Sequence, residues 1–315
     1  MQSHKGKCRL AGRVFAVTAI AVAAAWPAEA PKGAAPAVPA FRANGTLVLV
    51  PVTVVVRRGA IVNGLASGAF TLTEDGVRQQ LRAFSEEDAP VSMGIVLDLS
   101  GSMKAFLDTA KESLRSLMKD ANPADEAFLN AVSTSPRAYS GFTVNLDDIL
   151  RRVAFEGASG DTALIDTVYG SLNQLRSGVH TRKALLVISD GMDNHSRYSR
   201  QELMEFAMES DAQVYTIAVG NPAAPFSKPI QQAEEKRGLL FLDELAAKTG
   251  GMSFVVHGQT DIRAAAASIG RALRNEYTIG YVPSGNGRSG QWRRIRVKVE
   301  GSGMKAYARA GYRLD

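Results

Sequence analysis

The run Met93-Gly94-Ile95-Val96-Leu97-Asp98-Leu99-Ser100-Gly101-Ser102-Met103 sets one carboxylate and two hydroxyls at two-residue spacing. Gly101 permits a tight turn between the serines. Two later runs add oxygen donors: Gly160-Asp161-Thr162-Ala163-Leu164, and Ile188-Ser189-Asp190-Gly191-Met192-Asp193-Asn194. Each has an ordinary explanation on its own. Ser102 or Thr162 could cap a following helix, and Asp190-Gly191 could be a turn. Together, in this order and each at the end of a regular element, they point to one site for a hard divalent cation. Mg²⁺ prefers octahedral oxygen coordination and keeps waters. Serine and threonine hydroxyls are neutral, so most of the ion's charge stays available for a carboxylate from outside.

The elements that must position these residues alternate. Val91 to Leu99, Ala127 to Val132, Lys183 to Ser189, Val214 to Val219 and Ser253 to Val256 have strand character, most of them apolar throughout. Helical spacing of apolar residues appears over Lys104 to Met118, Thr162 to Leu175, Arg200 to Ser210, Leu239 to Lys248 and Asp261 to Arg274. Apolar strands alternating with amphipathic helices predict an α/β fold around a mostly parallel sheet. In such sheets ligands bind outside the carboxyl ends of the strands, where Asp98 and Asp190 would stand.

Flanking this 91–275 domain are two β zones. Residues 41–90 hold Thr46 to Val56, interrupted by Pro51, and Phe70 to Gly76, which ends in an Asp-Gly turn. Residues 276–315 hold Tyr277 to Val282, Trp292 to Val299 and Lys305 to Tyr312. Neither is large enough alone, so the two are expected to pair. The basic run Trp292-Arg293-Arg294-Ile295-Arg296-Val297-Lys298-Val299 reads as a solvated strand face, with a bulge at Arg293-Arg294 where the alternation breaks.

Residues 1–30 read as an export signal. Lys5, Lys7, Arg9 and Arg13 precede the apolar run 14–25, and Ala28 and Ala30 present small residues for cleavage. Twelve residues of helix rise about 18 Å, short of a hydrocarbon core of roughly 30 Å. An uncleaved anchor is the alternative, and Pro31 is a poor residue to follow a cut. Residues 31–40 form a Pro/Ala linker. The expected location is periplasmic or extracellular, with no membrane span in the mature chain.

Composition removes other classes. Of 37 basic and 31 acidic side chains, 33 and 30 remain beyond residue 30, too balanced a surface to suggest nucleic acid. The single cysteine, Cys8, permits neither a disulfide framework nor a cysteine-based metal centre.

The three oxygen-bearing runs resemble the metal-ion-dependent adhesion site of von Willebrand factor type A domains. More narrowly, the chain resembles the bacterial secreted group of proteins related to that domain. The likeness includes Leu72-Thr73-Glu74-Asp75-Gly76, Phe84-Ser85-Glu86-Glu87, Ala247-Lys248-Thr249-Gly250-Gly251 and Arg309-Ala310-Gly311-Tyr312, and runs over about residues 45–313. It implies a Rossmann-like doubly wound sheet with a small β subdomain formed by the N- and C-terminal flanks. It also implies that Ser100 and Ser102 ligate Mg²⁺ (Mn²⁺ or Ca²⁺ as substitutes) directly, that Thr162 does so when the site is engaged, and that Asp98 and Asp190 act mostly through coordinated water. A partner protein presenting Asp or Glu would complete the shell. Two departures stand out: Asp161 where glycine is usual, and a longer, charged loop over 221–238.

The function that follows is a secreted protein-binding module and not an enzyme. A metal-dependent hydrolase or phosphatase at the same site is the alternative. Against it, the position two after Asp98, where such phosphatases carry a second aspartate, is Ser100. No Gly-x-Ser-x-Gly elbow surrounds either serine.

Overall fold

The computed structural model describes residues 47–57, 59–119, 121–133, 137–138, 141–154, 161–220, 228–285 and 287–314. The segments expected to be signal (1–30) and linker (31–40) lie outside the described residues.

The central sheet is built from β5 (Val91–Asp98), β6 (Glu126–Val132), β8 (Arg182–Ser189), β9 (Ala212–Val219) and β10 (Ser253–Val256), all parallel, with the two-residue β7 (Arg137–Ala138) antiparallel at one edge. Its order is β10-β9-β8-β5-β6-β7. The chain passes from β5 to β6 on one side, then crosses back to β8 on the other. The crevice beyond the carboxyl end of β5 is therefore the switch point of the topology.

Strand β5 is buried at every residue, and its alternation divides the sheet into two faces. Val91, Met93, Ile95 and Leu97 pack with α1 (Leu107–Lys119), Ile149 of α2 (Leu146–Ala154) and α6 (Gln259–Arg274). Val96 packs on the opposite face with α3 (Leu164–Leu175), α4 (Arg200–Glu209) and α5 (Pro229–Thr249). Each buried Val, Leu or Ile contributes about 1.5–3 kcal/mol relative to exposure. Gly94 shares the second face with Val96, and a side chain has no room there: a Cβ would stand 2.7 Å from both Leu185 Cδ1 and Phe128 Cζ.

The flanks form two antiparallel four-stranded sheets. One runs β13 (Met304–Ala308), β1 (Val48–Val56), β11 (Tyr277–Tyr281), β4 (Leu81–Glu86). The other runs β14 (Gly311–Arg313), β12 (Trp292–Val299), β2 (Phe70–Glu74), β3 (Val77–Arg78). They share a core that includes Val50, Val52, Phe70, Leu72, Tyr277, Ile279, Tyr281 and Ile295. The architecture is thus the α/β parallel sheet with a β subdomain from both flanks. Pro51 is accommodated within β1: it faces Thr278 of β11, and β13 joins only from Val52 onward. The residue without an N–H lies where the strand has one partner.

Strand β12 corrects the expected bulge. It pairs with β14 over Trp292–Arg294 and with β2 over Ile295–Val299, and its alternation is strict. Arg293, Ile295, Val297 and Val299 point inward, whereas Arg294, Arg296 and Lys298 are exposed. Arg293 takes an inward position because a buried glutamate meets it there. Its Nη2 lies 3.0 Å from Glu74 Oε2, and its Nε lies 3.2 Å from Asp75 Oδ2, an ionic contact without hydrogen-bond geometry. Tyr312 and Tyr281 donate to Glu74 Oε1 at 2.8 and 3.3 Å.

Candidate functional site

Strand direction brings Asp98 and Ser189 together. β5 and β8 are neighbours in register, with Leu97 opposite Ile188, so the next residues of the two strands are Asp98 and Ser189. Both continue the face that carries Val96 and Val187. Ser189 Oγ donates to Asp98 Oδ2 at 2.6 Å, and the Ser100 backbone N–H donates to Oδ1 at 2.8 Å. These bonds fix the plane of the carboxylate. Asp98 and Ser189 are fully buried, Ser100 nearly so, and Ser102 is exposed.

The serines are not used as caps. Ser100 precedes the 3₁₀ turn Gly101–Ala105, yet its side chain makes no capping bond. Its Oγ lies 3.0 Å from Ser102 Oγ, so the hydroxyls form an adjacent pair at the mouth of the strand. Thr162 does not cap α3 either: the N-cap position is Ala163.

Asp190 follows β8 directly. Its Oδ1 accepts the Met192 N–H at 3.0 Å, and the Gly191 N–H donates to Ser189 Oγ at 3.0 Å. Gly191 has φ +75°, the left-handed conformation in which glycine is favoured. Thr162 is tied to the same loop through Asn194, whose Oδ1 accepts the Thr162 N–H at 2.9 Å and whose N–H donates to Thr162 O at 3.1 Å. Asp193 accepts the Ile165 N–H at 2.9 Å and so supplies the side-chain cap that α3 lacks at Ala163. Asp161 is exposed, with its Oδ2 4.0 Å from His195 Nδ1.

Segment 189–196 thus links the other two, meeting 98–102 through Ser189 and 162–165 through Asp193 and Asn194. Ser189 and Asn194 were not singled out in the sequence. Their signal is faint, a hydroxyl ending an apolar strand and an amide in a polar loop, because both work by holding other residues.

Burial pushes the Asp98 carboxyl up to about 6. Hydrogen bonds from Ser189 and Ser100 pull the other way, and the Asp190 charge adds to the rise. No lysine or arginine among the described residues forms an ion pair with Asp98 within 4.0 Å. Among the described residues no three His, Cys, Asp or Glu side chains gather into a metal-holding group. The donors here are of another kind: the Asp98 and Asp190 carboxylates, and the Ser100 and Ser102 hydroxyls 3.0 Å apart at the mouth of the strand. An all-oxygen set of this kind fits a hard divalent cation.

Residues 93–192 match the family model of the von Willebrand factor type A domain. No curated protein matches the chain at a significant level. Among solved structures, the conserved hypothetical protein BatB from Bacteroides thetaiotaomicron is similar at 18% identity, covering 58% of this chain and 98% of that one, with a TM-score of 0.45. An aerotolerance-related membrane protein from Bacteroides fragilis gives 17%, the same coverages and 0.45. A von Willebrand factor type A protein from Catenulispora acidiphila gives 12% identity over 87% of this chain and 76% of that one, with a TM-score of 0.48. Residues 93–192 are thus those of a von Willebrand factor type A domain, a kind of domain that generally serves as a protein-interaction module.

Proposed function

We propose that this chain is an exported, metal-dependent protein-binding module. Asp98, Ser100, Ser102, Thr162 and Asp190 would hold Mg²⁺, with Mn²⁺ or Ca²⁺ as substitutes, and a partner protein would supply an aspartate or glutamate. The observation that carries this reading is the buried Asp98 carboxylate. Ser189 and the Ser100 backbone orient it, the Asp190 charge acts on it, and among the described residues it forms no ion pair. When bound, the ion supplies a Lewis-acidic position for one anionic oxygen. The protein's own contribution is orientation. The Ser189 hydroxyl holds Asp98, the Gly191 turn sets Asp190 at the end of β8, and the Asn194 amide holds Thr162 at the rim. Ser100 and Ser102 present neutral oxygens, which leave the positive charge to the incoming carboxylate. Ser102 is exposed, so a partner can reach the rim from solvent.

Among the described residues no helix is long and apolar enough to cross a membrane. The export part of the proposal rests on the basic-then-apolar pattern of residues 1–30.

Isothermal titration with Mg²⁺ tests the site. Wild type should give a saturable one-site isotherm and a thermal shift, and Asp98→Ala neither. Absence of both in wild type overturns the reading. A pulldown from an envelope fraction should retain partners in Mg²⁺, lose them with chelator, and retain none with Asp98→Ala.

A further inference from the structure

Helix α5 carries a glycine midway along its length, and glycine is among the poorest helix formers. Gly238 is buried, and a Cβ built on it would stand 2.7 Å from Gly191 O, 2.8 Å from Gly191 C and 3.0 Å from Asp190 O. The reverse holds too: a Cβ on Gly191 would stand 2.5 Å from both C and O of Gly238. Here a helix backbone rests directly on the backbone of the turn that presents Asp190. No side chain lies between them to yield.

The two ends of α5 fix its orientation. Its C-terminus closes on Gly250 in the left-handed conformation, and Thr249 Oγ1 accepts the Val214 N–H at 2.9 Å, near the start of β9. Gly238 is level with the far end of β8. The nine residues before it, Pro229 to Arg237, make a helical stretch about 13 Å long at 1.5 Å per residue. All but Glu235 of these are exposed. The expected loop 221–238 is thus, over residues 229–238, a helical post rooted on the Asp190 turn. Arg200 also holds it there, donating from Nη1 to Arg237 O at 3.2 Å and standing over the Phe241 ring.

We infer that Gly238 is a positioning residue for Asp190: its missing side chain lets α5 seat against Asp190-Gly191 and hold the Asp190 carboxylate where the proposed ion needs it. The inference rests on the metal reading given above. Residues that orient metal-holding groups commonly change affinity 10–100-fold when altered. Gly238→Ala adds one methyl group to the rigid contact, and the Asp190 turn must shift to admit it. Coupling is reciprocal, so metal binding should in turn steady α5 around Gly238.

The test compares Mg²⁺ affinity by isothermal titration in wild type, Gly238→Ala and two controls. Gly170→Ala alters a glycine of α3 that has nothing within 4 Å of a built Cβ. Leu72→Val loosens the β subdomain core away from the site. Gly238→Ala should bind Mg²⁺ at least tenfold more weakly. Gly170→Ala and Leu72→Val should stay within twofold of wild type, even where Leu72→Val lowers the melting temperature. Gly238→Ala binding within twofold overturns the inference while leaving the metal site standing. No binding by wild type overturns the metal reading and this inference with it. Should Gly238→Ala fail to fold, hydrogen exchange on wild type decides. Mg²⁺ should slow the amides of 236–242 and of Met192 but not those around Gly170; unchanged exchange in 236–242 overturns the inference.

Discussion

Asp98 and Glu74 are both buried carboxylates, and they are treated in opposite ways. Glu74, on the core face of β2, meets the Arg293 guanidinium at 3.0 Å and two tyrosine hydroxyls. The same holds elsewhere away from the rim: Glu276 meets Arg182 Nη2 at 2.6 Å, and Asp125 meets Arg274 Nη2 at 3.0 Å. Asp98, at the carboxyl edge, has hydroxyl and amide donors and a second aspartate whose charge acts on it, and among the described residues it forms no ion pair. A buried charge is costly unless paired. At Glu74, Glu276 and Asp125 the chain supplies the counter-charge itself, whereas buried Glu126 is held by the Ser92 hydroxyl and the Val179 N–H, each at 2.7 Å. Asp98 differs from all four in standing at the carboxyl edge of the sheet, where the Asp190 charge adds to the cost of ionising it, and the proposed metal reading rests on that difference.

The sharpest way to break that contrast is to remove one partner from each. Arg293→Ala leaves Glu74 buried without its cation and should cost about 3–5 kcal/mol in urea unfolding. The double variant Glu74→Leu with Arg293→Met should recover most of this loss. If the double variant is no more stable than Arg293→Ala, charge pairing is not what the position needs. Asp98→Asn should behave differently. Measured without metal it should be as stable as wild type or more so, since it removes an unpaired charge and keeps an acceptor for the Ser100 N–H. With Mg²⁺ at a hundred times the wild-type Kd, it should lack the stabilisation of about 2.7 kcal/mol that binding confers. An Asp98→Asn protein as destabilised without metal as Arg293→Ala would erase the distinction.

Much of this was legible in the sequence because it is written in local pattern. The strands of the central sheet are apolar at nearly every position, and the helices on its two faces carry apolar stripes, so the parallel α/β class with β flanks followed from periodicity. What escaped has physical causes. The first half of α5, Pro229 to Gly238, is exposed almost throughout and has no apolar stripe, although Gln, Ala, Glu, Lys and Arg all favour helix. Helix α2 is short and carries four charges in nine residues. Arg293 looked like a break in alternation because its partner, Glu74, lies 219 residues away in sequence. Of the site, residues bearing plausible donors could be picked out by type and spacing. Ser189, Asn194 and Gly238 could not, because each acts by holding another residue through contacts that only the tertiary structure creates.

A paired carboxylate close to the site sharpens the comparison further. Burial opposes ionisation of Asp166, but the Tyr198 and Arg197 backbone N–H groups and the Arg197 guanidinium outweigh it and hold the carboxyl below its ordinary range. Its folded value lies below the unfolded one of about 3.9. The stabilisation is therefore present above roughly pH 4 and disappears as pH falls through the folded value. Asp166→Asn should cost about 1.5–3 kcal/mol near pH 7, the range for hydrogen bonds to a charged group. Urea unfolding at a series of pH values should show that gap steady down to about pH 5 and closing below pH 4. A gap that widens on acidification would reverse the assignment.

The smallest effect is the most exacting, because it turns on one residue's direction along a strand. Arg294 follows Arg293 in β12 and differs from it chiefly in facing solvent. Its backbone does structural work, donating from N–H to Asp75 Oδ1 at 2.9 Å and accepting the Asp75 N–H at 2.9 Å, and an alanine keeps both bonds. Arg294→Ala should therefore change stability by less than about 0.5 kcal/mol, as exposed positions away from special features do. The ratio of the two losses at adjacent arginines then measures how far charge pairing, and not charge itself, governs this strand. Comparable losses at Arg293 and Arg294 would mean that the strand needs its positive charge in bulk, and the contrast between a paired Glu74 and an unpaired Asp98 would lose its footing.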